Sequence, residues 1–253
     1  MIPNTNAYVA LRDQSQEFLD FVVLSCTAIP GLVHQIQTAG QLSAPADHFK
    51  GVPNLTQLQQ YAGAYQASLS RMIVITLWSY FEAYVMGVLR EIIDFHGGDG
   101  PFLATAEKRA QSFLKSTTPV VLESKRKLQE PAKPKNKGRY QKHSAVLLKH
   151  GFRFPSELLA PYGVKNMIKK SKPRGAKAYE IPELLRDALC FPLSQTEQAR
   201  LDHIRNFRNG LAHGTPAPVP LKDALSVGKD LRAMAAKIDK HITEHFFVLE
   251  AYA

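Results

Sequence analysis

Cysteine is nearly missing from this chain. Two residues, Cys26 and Cys190, lie far apart in 253. That excludes a disulfide framework and leaves two structural thiols in a reducing cytoplasm, or a single bridge. No Cys/His cluster has zinc spacing, and no carboxylate cluster suits a divalent ion, so neither metal nor cofactor is expected. The first ten residues lack a basic stretch followed by an apolar run, so no secretory signal is expected and the location reads as cytoplasmic. Long apolar runs are scarce too. The most apolar stretch, 72–88, is interrupted by Ser79, Glu82 and Tyr84. It is short for a membrane span and reads as a buried helix, with no membrane partner expected. Strand-like alternation, internal repeats and a helix-turn-helix with a basic recognition helix are all absent.

Acidic residues are also in short supply. Lys and Arg number 32 against 22 Asp and Glu, a formal net charge of +10. Such a surplus favours polyanionic partners, because each phosphate contact releases counterions. Hydrophobic residues at 45% and charged residues at 21% fit a soluble globular protein. The length suits one core, 1–253, carrying a large insertion.

Helical periodicity runs through most of the chain. A first helix is expected over 8–38, where Phe18, Phe21, Val22, Ile29, Val33 and Ile36 recur at three- and four-residue steps, with a kink near Pro30 and Gly31. A second begins near Asn54 or Thr56 and runs to about His96. Its second half is apolar nearly all round, as expected for the centre of a bundle. A shorter helix follows over 104–115. From 119 to 180 the composition turns to Lys, Arg, Pro and Gly, and this reads as a basic, partly irregular insertion with short helical turns at 144–149 and 157–159. Periodicity resumes at 181–189. Ser194-Gln195-Thr196-Glu197 fits a capping box, which starts a helix that ends at Gly214. A last helix is expected over 221–249.

One segment carries chemistry: Arg205-Asn206-Phe207-Arg208-Asn209-Gly210-Leu211-Ala212-His213-Gly214. At about 100° per residue, Arg205, Arg208, Asn209 and His213 fall within roughly 140° of one helix face. Ile204, Phe207 and Leu211 face the core. Two guanidiniums, an amide and an imidazole suit phosphodiester chemistry on RNA. The ribose 2′-OH supplies the nucleophile, histidine moves protons near neutral pH, and arginine binds phosphate through two donors. Asn209, one turn before His213, is placed to bond the imidazole or the ribose.

Arg208-Asn209-Gly210-Leu211-Ala212-His213 resembles the Arg-x(4–6)-His motif of the HEPN superfamily, with its polar residue directly after the Arg. Trp78-Ser79-Tyr80-Phe81-Glu82-Ala83-Tyr84 is similar to the Phe-Glu segment of the second HEPN helix, as in RiboL-PSP-HEPN-type bacterial nucleases. The resemblance covers about 8–118 and 181–250, not the insertion. It implies an all-α, up-and-down helical bundle acting as a metal-independent endoribonuclease, a toxin or anti-phage effector. Arg208 and His213 would be the catalytic pair, Asn209 an accessory residue, and Glu82 the acid that orients an Arg. It also implies a homodimer across the 194–213 helix and an antitoxin or defence-system partner protein. Thr215 departs from the pattern: HEPN toxins paired with nucleotidyltransferase antitoxins carry Tyr there as the AMP acceptor.

RNA contacts are further expected from Arg205 and from the basic insertion: Lys125, Arg126, Lys127, Lys135, Lys137, Arg139, Lys169, Lys170, Lys172 and Arg174. Interleaved Tyr and Phe there suit stacking on single-stranded bases. The alternative on the same residues is a non-catalytic HEPN-like helical module that binds RNA or a protein.

Overall fold

A computed structural model describes residues 4–39, 54–111, 118–131, 138–173, 175–214 and 219–248. Among the described residues every regular element is helical. The order is α1 (Asn6–Ala39), α2 (Leu55–Phe95), α3 (Asp99–Gln111), α4 (Pro119–Gln129), α5 (Arg139–Lys149), α6 (Pro155–Ser171), a 3₁₀ turn (Ala178–Glu180), α7 (Ile181–Glu183), a π turn (Leu184–Ala188), α8 (Gln195–Ala212) and α9 (Leu221–His245).

The central element is α2. Asn54 caps it by accepting from the Gln57 amide. One side of its second half is sealed, with Ile73, Val74, Phe81, Val85, Val88, Leu89 and Ile92 all at 0% exposure, while Ala83 and Arg90 on the other side are exposed. The run that reads as apolar nearly all round is thus buried along about half of its circumference. Helices α1, α6, α8 and α9 pack around α2. The Tyr84 hydroxyl donates to the Ala235 carbonyl at 3.2 Å and ties α2 to α9. At Gly228 of α9 a Cβ would lie 2.4 Å from the Leu77 Cδ1, so the two helices meet closely there and a larger residue would have to turn the Leu77 side chain aside. The start of α1 is pinned by side chains from two helices. Glu91 accepts from the Asn6 and Ala7 amides, and Asp239 accepts from the Thr5 hydroxyl. Helix α1 continues through Pro30 as a single helix.

From Phe21 to Ala39 and from Leu55 to Ser70 the chain has no Asp, Glu, Lys or Arg. Along this stretch Phe21, Val23, Leu24 and Tyr61 are exposed. Both α1 and α2 are long and apolar enough to cross a membrane. The apolar window is half inside the protein in α2 but only 11% buried in α1.

The stretch read as a partly irregular insertion is instead mostly helical where it is described. Helices α4, α5 and α6 pack on one another, and α6 packs on α3 and α2. Their buried positions keep helical spacing: Val121, Ser124, Lys125 and Leu128 on α4, and Arg139, Tyr140, Ser144 and Leu147 on α5. Two of these are cationic. Lys125 is 7% exposed, with its ammonium 4.0 Å from the Phe152 ring centroid, and burial lowers its pKa. Arg139 is equally buried and donates to the carbonyls of Lys127 and Pro131 at 2.6 and 2.8 Å. Both were expected to meet RNA. Both are spent inside, holding the α4–α6 layer together.

Cys190 is buried and Cys26 half-buried, and both thiols are free. Burial pushes the Cys190 thiol up to about 12, which keeps it protonated and inert.

Two interior groups oppose each other in acid. Burial raises the Asp187 carboxyl to about 6 and lowers His241 to about 4. As pH falls from about 6 towards 3.8, the folded state takes up the Asp187 proton before the unfolded chain does, so the fold gains stability. As pH falls from 6.5 towards about 4, the unfolded chain protonates His241 first, so the fold loses stability. Asp187→Asn removes the gain and leaves the loss. Its urea midpoint is expected to fall more steeply than the parent's between pH 7 and about 4.5. Parallel pH profiles would contradict this.

Candidate functional site

Helix α8 starts where the sequence placed it. Ser194 accepts from the Glu197 amide at 3.2 Å, and the Glu197 carboxylate accepts from the Ser194 amide at 3.0 Å. The buried side chains Leu201, Ile204 and Leu211 seat the helix against the core, and Phe207 packs beside them. Asn209 and His213 lie on the opposite side, whereas Arg208, at about 100° per residue, falls between Leu201 and Ile204 at the edge of the packed side. The helix ends at His213, whose backbone N–H donates to the Asn209 carbonyl at 3.0 Å, and Gly214 follows in the left-handed region at φ 79°.

Arg208 reaches across to α2. Its Nη2 lies 3.8 Å from Glu82 Oε2, an ion pair rather than a hydrogen bond. The two side chains are 26% and 24% exposed, so the pair sits at a rim open in part to solvent. Arg208 Nη1 donates to Asn209 Oδ1 at 3.0 Å. Its Nε is buried with no hydrogen-bond partner. The fork is thus held on one side by a carboxylate and on the other by an amide.

Asn209 is therefore engaged with Arg208, and it meets His213 through the backbone rather than the ring. His213 is exposed at the end of the helix. Arg205 is more heavily committed than the sequence suggested. It pairs with Asp202 at 2.9 Å, donates to Asn206 Oδ1, and donates to the Tyr179 carbonyl at 3.3 Å. Three hydrogen bonds and an ion pair engage its guanidinium, so its main work is to hold the Ala178–Glu180 turn against α8.

That turn forms one wall of a cleft. The cleft holds about 270 Å³ and is lined by Glu82, Met86, Lys177, Ala178, Ile181 and Leu184, among others. The Glu180 carboxylate steadies the wall. It accepts from the Lys177 amide at 2.7 Å and pairs with Lys170 at 2.6 Å. These contacts, with burial opposing them, leave the Glu180 carboxyl below its ordinary value. Lys170, expected among the RNA contacts, is thereby engaged in the wall. Gly175 is required just before this turn, since a Cβ there would lie 2.3 Å from the Lys169 carbonyl.

The remaining basic residues divide. Arg126 is exposed and paired with Glu123 at 2.8 Å, and Lys127 pairs with Glu130 at 3.0 Å. Lys169 and Lys172 are exposed, the latter 4.0 Å from Asp99. Lys135, Lys137, Arg174 and Thr215 lie outside the described residues. Among the described residues no three His, Cys, Asp or Glu side chains converge in a way that could hold a metal ion.

Sequence reasoning missed Met86 and Lys177, and it set Tyr179 among the aromatic residues interleaved with the basic insertion without tying it to a cleft. Lys177 stood at the end of a basic run, 165–177, with nothing to single it out. Only the fold brings that run beside Glu82.

No family model, no curated protein and no solved structure matches this chain.

Proposed function

We propose that this chain is a HEPN-type endoribonuclease that cuts RNA by attack of a ribose 2′-OH on the adjacent phosphate, leaving a 2′,3′-cyclic phosphate. The observation that carries the reading is the Arg208–Glu82 pair at 3.8 Å, five residues before exposed His213 at the end of α8. The pair joins the two segments that carry the family resemblance. A guanidinium at a rim neutralises a phosphate and stabilises the charge that develops on it. Glu82 keeps that fork in place, and Asn209 fixes its far side. His213, open to solvent, takes the proton from the 2′-OH or delivers one to the leaving 5′-oxygen. Exposed Lys169 and Lys172 and the net charge of +10 draw the polynucleotide in.

The nucleophile belongs to the substrate, so the reaction proceeds without a metal ion. In this reading the chain works as a homodimer, two α8 helices facing one groove, and a partner protein such as an antitoxin or defence-system subunit restrains it in the cell. Expression of the parent chain arrests bacterial growth, and Arg208→Ala relieves the arrest at equal protein level. Cleavage by purified protein persists in EDTA. A folded Arg208→Ala protein that still arrests growth would remove the basis of the proposal, as would cleavage strictly dependent on added divalent metal.

A further inference from the structure

The cleft beside Arg208 has the wrong chemistry for a phosphate and the right chemistry for a base. Its volume is about 270 Å³, somewhat under the roughly 300–1,000 Å³ of drug-sized ligand sites. Its walls are largely apolar, with Met86, Ala178, Ile181 and Leu184 available to the faces of a flat ring. Two charged groups line it, the Glu82 carboxylate and the Lys177 chain. A phosphate dianion would be repelled by Glu82. A heterocycle would bury its faces on the walls and turn its edge to the two charges.

We infer that this cleft is a nucleobase pocket that selects guanine at the nucleotide next to the cut bond. The choice follows from donor and acceptor patterns. A carboxylate only accepts, and its two oxygens offer about four lone-pair sites. Guanine alone presents two adjacent donors, N1–H and the N2 amino group, to match it. Guanine O6 and N7 are acceptors, and the Lys177 ammonium donates to them. Adenine and cytosine would turn a ring lone pair towards Glu82, and uracil would turn a carbonyl oxygen towards it. Each leaves like charges facing in a half-buried site. Glu82 Oε2 stays within 3.8 Å of Arg208 Nη2, so the same carboxylate that holds the base edge holds the guanidinium that meets the phosphate. Base and phosphate are thus read by neighbouring groups, as one nucleotide requires. Tyr179, exposed and with the Lys177 ammonium 5.8 Å from its ring centroid, stands beside the mouth of the cleft as a platform for the next base.

The inference deepens the nuclease reading, which supplies the choice of an RNA ligand. It is tested by binding, without cleavage. The full-length protein is titrated with guanosine, adenosine, cytidine and uridine 5′-monophosphates by calorimetry. The guanosine nucleotide is expected to bind about 10- to 100-fold more tightly than the other three, the discrimination of one good bidentate contact. Glu82→Gln replaces one acceptor by a donor and is expected to erase that preference. Met86→Trp fills the cleft and is expected to weaken all four, with thermal melting confirming that both variants fold. Equal or undetectable binding of the four nucleotides would overturn the pocket. So would a guanosine preference untouched by either variant. A guanosine preference lost in Glu82→Gln, from a protein that leaves RNA uncut, would keep the pocket and sink the nuclease.

Discussion

His213→Ala is expected to lower RNA cleavage by about 10²- to 10⁴-fold, the usual contribution of a positioned proton-transfer group. The physical reason is local. The imidazole belongs to the residue that caps the C-terminus of α8 and is exposed, and the described residues give it no hydrogen bond or ion pair to hold structure together. Removing it costs the fold little, because the cap is made by the backbone and an exposed side chain without partners changes stability by about 0.5 kcal/mol or less. The backbone N–H of residue 213, which satisfies the helix end, survives the substitution. Loss of rate without loss of melting temperature is therefore the expected signature. Arg208→Lys separates charge from geometry at the guanidinium. It keeps the positive charge but loses the two-pronged donor, and the fork is what Glu82 and Asn209 hold in place.

Phe81→Ala is expected to do the opposite. Phe81 precedes Glu82, yet it points into the core at 0% exposure, with the Trp78 ring 5.9 Å away and the Tyr84 ring 6.2 Å away. Deleting such a ring costs about 3–5 kcal/mol through lost burial and the cavity left behind. Against the roughly 5–15 kcal/mol that holds a typical domain together, much of the stability goes. The variant should show a large drop in urea midpoint, with activity at low temperature falling only as the folded fraction falls. Glu82→Gln, one residue on, should leave the midpoint nearly unchanged, because a pair about one quarter exposed is screened by solvent. A Phe81→Ala midpoint close to the parent's would mean that α2 does not occupy the centre of the bundle.

The contrast between these neighbours shows how much the sequence discloses. The apolar run of α2 announced a central helix, and a single acid within it announced a partner, since a carboxylate in such a place is costly without one. The capping box at Ser194 and the glycine at 214 bracketed α8 to within a residue or two. The segment from 119 to 180 misled for a definite reason. Helices α4 and α5 bury Lys125 and Arg139 at positions where a core-facing pattern calls for apolar residues. Long cationic stems can line a core when a ring or carbonyls receive the head group, and a count of charges cannot see the receiver. The same blindness applied to Arg205. One helix face placed it with Arg208, but Asp202, on the same face one turn upstream of the motif, and the Tyr179 carbonyl, from a distant turn, claim its donors. The cleft was illegible altogether, because its walls come from α2 and from a turn about ninety residues later.

The measurement that bears most directly on the account is end-group analysis of RNA. Parent protein and His213→Ala are incubated in EDTA with a defined single-stranded RNA, and the ends of any products are identified. 2′,3′-Cyclic phosphate and 5′-hydroxyl ends are expected from the parent and intact RNA from the variant. Intact RNA with both proteins, or the same cuts from both, would contradict it.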